Sequence, residues 1–174
     1  MPSNISIKER ILRQVRTTCA AVTGVAAAYR WDTGRWWNGS AWVETMPRNS
    51  IMVAVESDDV VGEGLGTTGP TMKQMNLSVG IKLVRDSDDT TVYDSLVRRW
   101  ENDIEKALLA DPFIAETATG VRLAADSRVT TLPGPQSDSG QPEVVPSVIL
   151  QIDYRHNRTD PSVLGTTITA VTES

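Results

Sequence analysis

One imidazole and one thiol, His156 and Cys19, are all that the 174-residue sequence offers toward histidine or cysteine chemistry. His156 ends an alternating apolar run beside Arg155 and Arg158, with no nucleophile or second metal ligand near it in sequence. It reads as a solvated histidine, not a catalyst. Cys19 falls inside a helical pattern with no Lys or His at helical spacing to activate it, so it reads as a small buried hydrophobe. Asp86, Asp88 and Asp89 begin like a calcium loop but lack its turn glycine and closing bidentate Glu, and they suit the acidic approach to a helix N-terminus better. Gly62, Gly64 and Gly66 have the look of a nucleotide-binding fingerprint. No helix-forming stretch follows them and no Lys-Ser/Thr pair, so the context that would let backbone amides cradle a phosphate is missing. Glu101, Asp103 and Glu105 are spaced onto a helix exterior and define no acid-base pair in a pocket. The expectation is a protein without catalytic residues, cofactor or metal, which is not an enzyme and works by its surfaces.

Composition narrows those surfaces. A hydrophobic content of 40% in 174 residues suits one domain with a sizeable core. The net charge of -5 lacks the basic stripe that sequence-independent nucleic-acid binding requires. A lone cysteine excludes an intrachain disulfide framework and fits assembly in a reducing cytoplasm. No run of some 18 apolar residues and no signal-type N-terminus occurs, so neither membrane spanning nor secretion is expected.

The elements that must position such surfaces can be read from periodicity. Ser6 with Glu9 forms a capping box, and Ile7, Ile11, Leu12, Val15, Cys19 and Val22 follow with helical period until Gly24 stops the helix. Lys8, Arg10, Arg13 and Arg16 lie opposite, as a solvated basic face. Val25 to Trp31 has strand character. Residues 32–48 then form an inserted hairpin, in which Trp36, Trp37 and Trp42 flank the turn pair Asn38-Gly39. Two readings of that hairpin stay open: it folds back on the sheet as a minor core, or its tryptophans anchor on a neighbouring subunit or partner. Ile51 to Val55 is the next strand, and residues 56–70, rich in Gly, Asp, Ser and Thr, read as a long flexible loop.

The clearest strand comes next, with Met75, Leu77, Val79, Ile81 and Leu83 on one face and Gln74, Asn76, Ser78, Gly80 and Lys82 on the other. Thr91 and Asp94 cap a second helix that runs to Ala110 with Leu96, Val97, Trp100, Ile104, Ala107 and Leu108 as its apolar stripe, and Asp111-Pro112 ends it. Gly120 to Leu123 and Arg128 to Leu132 suggest a short hairpin, and Pro133 to Pro142 a loop. Val148, Leu150, Ile152 and Tyr154 alternate along a final strand. Residues 1–158 therefore make the domain, and residues 159–174 a flexible C-terminal arm able to add to a neighbour's sheet edge.

In this order, the helix on Ile7 to Val22, the strand Met75 to Val84, the helix ending Ala107-Leu108-Leu109-Ala110-Asp111 and the closing Ile152-Asp153-Tyr154-Arg155 resemble the tail-terminator family of long-tailed bacteriophages. This family is also described as minor tail or tail-completion proteins, and the similarity covers about Ser6 to Arg158. It implies an α+β fold: a mixed, mostly antiparallel sheet flanked by two helices, here with an inserted β-hairpin and a long loop. It also implies a structural virion protein, six copies of which close into a ring on the head-proximal end of the tail tube. There the ring would end tube polymerisation and join tail to head or neck, after assembly in the host cytoplasm. Implied partners are sister subunits, the tail tube protein, a neck, head-completion or adaptor protein, and a sheath protein if the tail contracts. Genome DNA would pass the lumen without specific binding. Candidate interface residues are Trp36, Trp37, Trp42, Gly62, Gly64, Gly66, Arg155 and Arg158. The alternative within the same class is a head-tail connector that binds the portal or adaptor ring. A small hydrolase and a nucleic-acid binder using Arg10, Arg13 and Arg16 are the readings from other classes.

Overall fold

The computed structural model describes residues 5–25, 27–32, 35–44, 50–63, 69–82, 90–131 and 144–165. In chain order the elements are α1 (Ile7–Ala20), β1 (Ala27–Asp32), β2 (Arg35–Trp37), β3 (Trp42–Val43), β4 (Ser50–Glu63), β5 (Pro70–Lys82), α2 (Thr90–Leu109), β6 (Ala124–Thr131) and β7 (Val144–Asn157). The strands form one seven-stranded sheet in the order β3-β2-β1-β4-β5-β7-β6. β1 and β4 pair in parallel and the other neighbours are antiparallel, so the fold is α+β with a mixed, mostly antiparallel sheet and two helices.

Both helices press on one face of that sheet. Ile7, Ile11, Leu12, Val15 and Cys19 of α1 and Trp100, Ile104 and Leu108 of α2 share a single core with Ile51, Val53, Met75, Leu77, Val79, Ile81, Val148, Leu150 and Ile152. The sheet residues in this set alternate along each strand and meet in cross-strand register, as in Val53, Val79 and Val148. Each large aliphatic side chain buried this way contributes roughly 1.5–3 kcal/mol of transfer free energy. The opposite face carries Tyr29, Met52 and Ile149 beside polar residues tied across strands, Asn76 Nδ2 donating to Ser57 Oγ at 2.9 Å and Gln74 Nε2 to Asp153 Oδ1 at 2.9 Å. No described helix is long and apolar enough to cross a membrane.

Local chemistry sets the helix ends. Ser6 Oγ accepts from the Glu9 amide at 3.2 Å, while the Glu9 carboxylate turns away from the cap to bind Arg13 and Arg30. The Ile7 amide, another of the unpaired first-turn donors, reaches the Pro161 carbonyl at 2.9 Å. After α1, Gly24 takes φ +86°, the left-handed conformation that glycine tolerates. α2 starts at Thr90, so the predicted cap residue Thr91 already lies within the helix. After α2, Asp111 accepts from the Phe113 amide at 3.1 Å and the Ala115 amide at 2.6 Å, which folds the chain through Ile114 at φ +49°.

Four sequence expectations require correction. Residues 56–70 are not one long loop: β4 runs to Glu63 and β5 begins at Pro70, with pairing that continues to Glu63↔Thr71. The Gly, Asp and Ser content conceals a strand that absorbs irregularity through register shifts between Val55 and Ser57 and between Val60 and Gly62. The hairpin expected between residues 120 and 132 is instead a bridged turn, Ala115↔Arg122, followed by the edge strand β6 on β7. The C-terminal arm is not free from residue 159: Asn157 N–H donates to Val163 C=O at 2.8 Å, His156 bridges to Leu164, and Leu164 packs against the core. Finally, the basic face of α1 is not simply solvated, because each of its four cations meets a partner described below. Asp86, Asp88 and Asp89, the stretch Pro133 to Pro142 and residues 166–174 lie outside the described residues.

Candidate interaction surface

The interface residues proposed from sequence divide into two patches at different places on the sheet. Trp36, Trp37 and Trp42 lie in β2 and β3, at the edge beyond β1. Gly62 and Arg155 lie across the other end of the sheet, each paired with Met72 of β5, and Arg158 follows just after β7. Gly64 and Gly66 are outside the described residues. At Gly62 a Cβ would stand 2.5 Å from Met72 Cε, the free end of a flexible side chain that can swing aside, so packing does not by itself demand glycine there.

The hairpin turn follows from Asn38-Gly39. Asn38 Oδ1 accepts from the amides of Ser40 and Ala41, both at 2.9 Å, and Gly39 adopts φ +110°. Register places Arg30, Trp37 and Trp42 in one row and Trp31, Trp36 and Val43 in the next. The first row faces α1: the Arg13 and Arg16 guanidiniums lie 5.0 and 5.4 Å from the Trp37 ring, and Arg30 lies 5.5 Å from Trp42. Arg16 also donates through Nη1 to the Asn38 carbonyl at 2.8 Å and the Ala28 carbonyl at 3.3 Å. Burial lowers its pKa, with the nearby Cys19 acting in the opposite direction, but a guanidinium stays charged. The hairpin is thus fastened to its own helix through Trp37, while Trp42 at 46% and Trp31 at 39% exposure remain on the surface. Trp31 and Trp36 pack against each other with their rings tilted by 49° and 4.5 Å between centroids.

The rest of the basic face is paired more tightly. Arg10 grips Glu116 in a fork, Nε to Oε1 at 2.6 Å and Nη2 to Oε2 at 2.8 Å. That hydrogen bond leads the effects that hold the Glu116 carboxyl below its ordinary range, and the same bond raises Arg10. Arg10→Lys keeps the charge but loses the fork, so it should cost about 1 kcal/mol in urea denaturation. A midpoint unchanged from wild type would show that the planar geometry is immaterial.

Lys8 leads to a cluster that sequence reading missed. Asp58, its side chain 11% exposed, accepts from Lys8 Nζ and Lys73 Nζ, each at 3.0 Å from Oδ2, and from the Tyr154 hydroxyl at 2.9 Å on Oδ1. Burial alone would raise the Asp58 pKa, but the hydrogen bonds from Lys8, Lys73 and Tyr154 and the Lys8 charge bring it below its ordinary value. Burial, followed by the Asp58 bond, raises the Tyr154 phenol. The four residues come from α1, β4, β5 and β7, so no local periodicity could have joined them. Their arrangement fixes the N-terminal part of α1 to the far half of β4.

Beyond that anchor β4 has no further strand partner on its β1 side among the described residues. β1 pairs with β4 only as far as Val53, and the following stretch carries exposed Glu56, Asp59, Val60 and Val61. A groove of about 700 Å³ lies between the helices, lined by Thr18, Ala21, Val22, Arg99, Lys106 and Ala107 among others. Cys19, fully buried on the inner face of α1, has its thiol pushed up to about 12 by burial, against the nearby Arg16 charge, and is chemically quiet. His156 is half-buried, its Nδ1 2.8 Å from the Asn157 carbonyl oxygen. Among the described residues no three His, Cys, Asp or Glu side chains converge as a metal site. No protein-family model matches the chain, and no curated protein sequence matches it.

Proposed function

We propose that this protein is a structural component of a bacteriophage tail, a terminator-like subunit. Copies of it close into a ring on the head-proximal end of the tail tube, stop its growth and receive the neck. The observation that supports this reading best is the sheet itself: both helices cover one face, and β4 extends beyond β1 as a partly apolar edge with no strand partner on that side among the described residues. Such an edge is a template for association, and a ring of identical contacts covers every copy of it while fixing copy number. The net charge of -5 suits a lumen that passes DNA without gripping it.

Polymerisation of a tail tube protein from the same genome tests the reading. With the chain present, negative-stain images should show tubes of one length, each ending in a six-fold ring; without it, tubes of unregulated length. Tubes whose length and ends ignore the chain would overturn the proposal. Retention of the chain by the adaptor ring and not by tubes would favour the connector reading.

A further inference from the structure

We infer that the stretch of β4 around Val60 and Val61 docks into the groove between α1 and α2 of a second copy of this chain. The inference rests on the ring reading and names the contact that would build it. Val60 and Val61, at 56% and 59% exposure, are the most exposed large apolar side chains among the described residues. They are flanked by exposed Glu56 and Asp59, whereas the charge of Asp58 is already met by Lys8 and Lys73. This makes the edge an apolar centre with an acidic border.

The groove has the opposite character. Ala21, Val22 and Ala107 form its apolar lining, and Arg99 and Lys106 stand at its rim. The acid that also lines it, Asp103, lies 3.9 Å from Arg99, which leaves the rim net positive. Apolar centre meets apolar lining, and acidic border meets basic rim, an arrangement that orients approach as well as holding the contact.

Position makes the second copy the fitting occupant. Lys8 touches the β4 edge at the start of α1, and Val22 lies in the groove just past its end, roughly 20 Å away at 1.5 Å per residue. Two different surfaces at opposite ends of one helix make a head-to-tail contact. Repeated by one rotation, such a contact closes a ring or runs on as a filament, whereas a reciprocal pairing about a two-fold axis would stop at a dimer.

Disulfide trapping in the full-length chain tests the contact. Val60→Cys combined with Ala107→Cys, oxidised with copper-phenanthroline, should give a ladder of linked multimers ending in one closed species. Each single variant should give dimers at most, and buried Cys19 should contribute nothing. Glu56→Lys with Asp59→Lys should weaken self-association roughly tenfold, and adding Arg99→Glu with Lys106→Glu should restore it. Multimers seen by native mass spectrometry but never linked through this pair would overturn the contact and leave the ring intact. Linkage of Val60→Cys only to a cysteine-bearing tube protein would assign the edge to the tube instead. A chain that stays single at every concentration and at tube ends would sink both the contact and the ring.

Discussion

Asp58→Ala should lower the stability of the folded chain by about 3 kcal/mol, because it leaves two ammonium groups and a phenol without the acceptor they converge on. The full cost of breaking a buried pair is tempered here by Lys8, which is 37% exposed and can be rehydrated. For a domain of this size the melting midpoint should fall by roughly 6–12 °C. Asp58→Asn retains an acceptor for Tyr154 and should cost less. The pH dependence has a definite sign. The folded-state pKa of Asp58 lies below its unfolded value, so the stabilisation is complete above the ordinary carboxylate range and is lost as pH falls through the folded value. Glu116, lowered by Arg10, acts in the same window. Asp58→Asn should therefore show a shallower acid limb than wild type, with the Glu116 share remaining. A wild-type midpoint for Asp58→Ala, or an unchanged acid limb for Asp58→Asn, would show that the cluster does not tie β4 to α1.

What the sequence disclosed, and what it hid, follows the range of the interactions concerned. α1 was legible because its cap, stripe and stop are all written within 20 residues, and Ile7, Ile11, Val15 and Cys19 are buried as their spacing requires. β5 and β7 were legible for the same reason: Met75, Leu77 and Val79, like Leu150 and Ile152, alternate without interruption. β4 was not, since its far half breaks alternation twice and carries Asp58 in a position that only partners from three other elements make tolerable. Local composition reports turn propensity, while strand formation there depends on the hydrogen-bonding edge β5 offers. The same limit explains the basic face of α1. A helix pattern tells which residues point away from the core, but not that a tryptophan hairpin and a distant glutamate will meet them. For the candidate surface, the sequence identified Trp42 and the region of Gly62 as places of interest. The exposed valines and the basic groove become visible only when α1, α2 and β4 are assembled.

Arg16→Ala should release the tryptophan hairpin from α1 at a cost of about 3 kcal/mol. The side chain serves several purposes at once: Nη1 bonds the carbonyls of Asn38 and Ala28, the guanidinium lies 5.4 Å from the Trp37 ring, and its atoms fill the space over Gly39. Hydrogen bonds from a charged donor contribute about 1.5–3 kcal/mol where water is largely excluded, and the ring contact adds roughly 0.5–1. Removing the side chain leaves two carbonyls facing a gap that water must fill, and Trp37 loses one of the two cations stacked on it. The hairpin has little else to fall back on, because β3 is two residues long and the β2 pairing to β1 covers three. Trp37 emission should therefore shift to the red and the indole become accessible to iodide, before the global unfolding transition. Gly39→Ala approaches the same clasp from the other side: its Cβ would sit 2.8 Å from the Arg16 guanidinium carbon, at a φ that alanine resists, so it should loosen the hairpin in the same optical signal. A double-mutant cycle between Arg16→Ala and Trp37→Leu separates the ring contact from the carbonyl bonds, with a coupling of about 1 kcal/mol expected. If Arg16→Ala leaves emission, quenching and midpoint at wild-type values, the hairpin is held by its strand pairing alone, and its tryptophans are free to serve a partner.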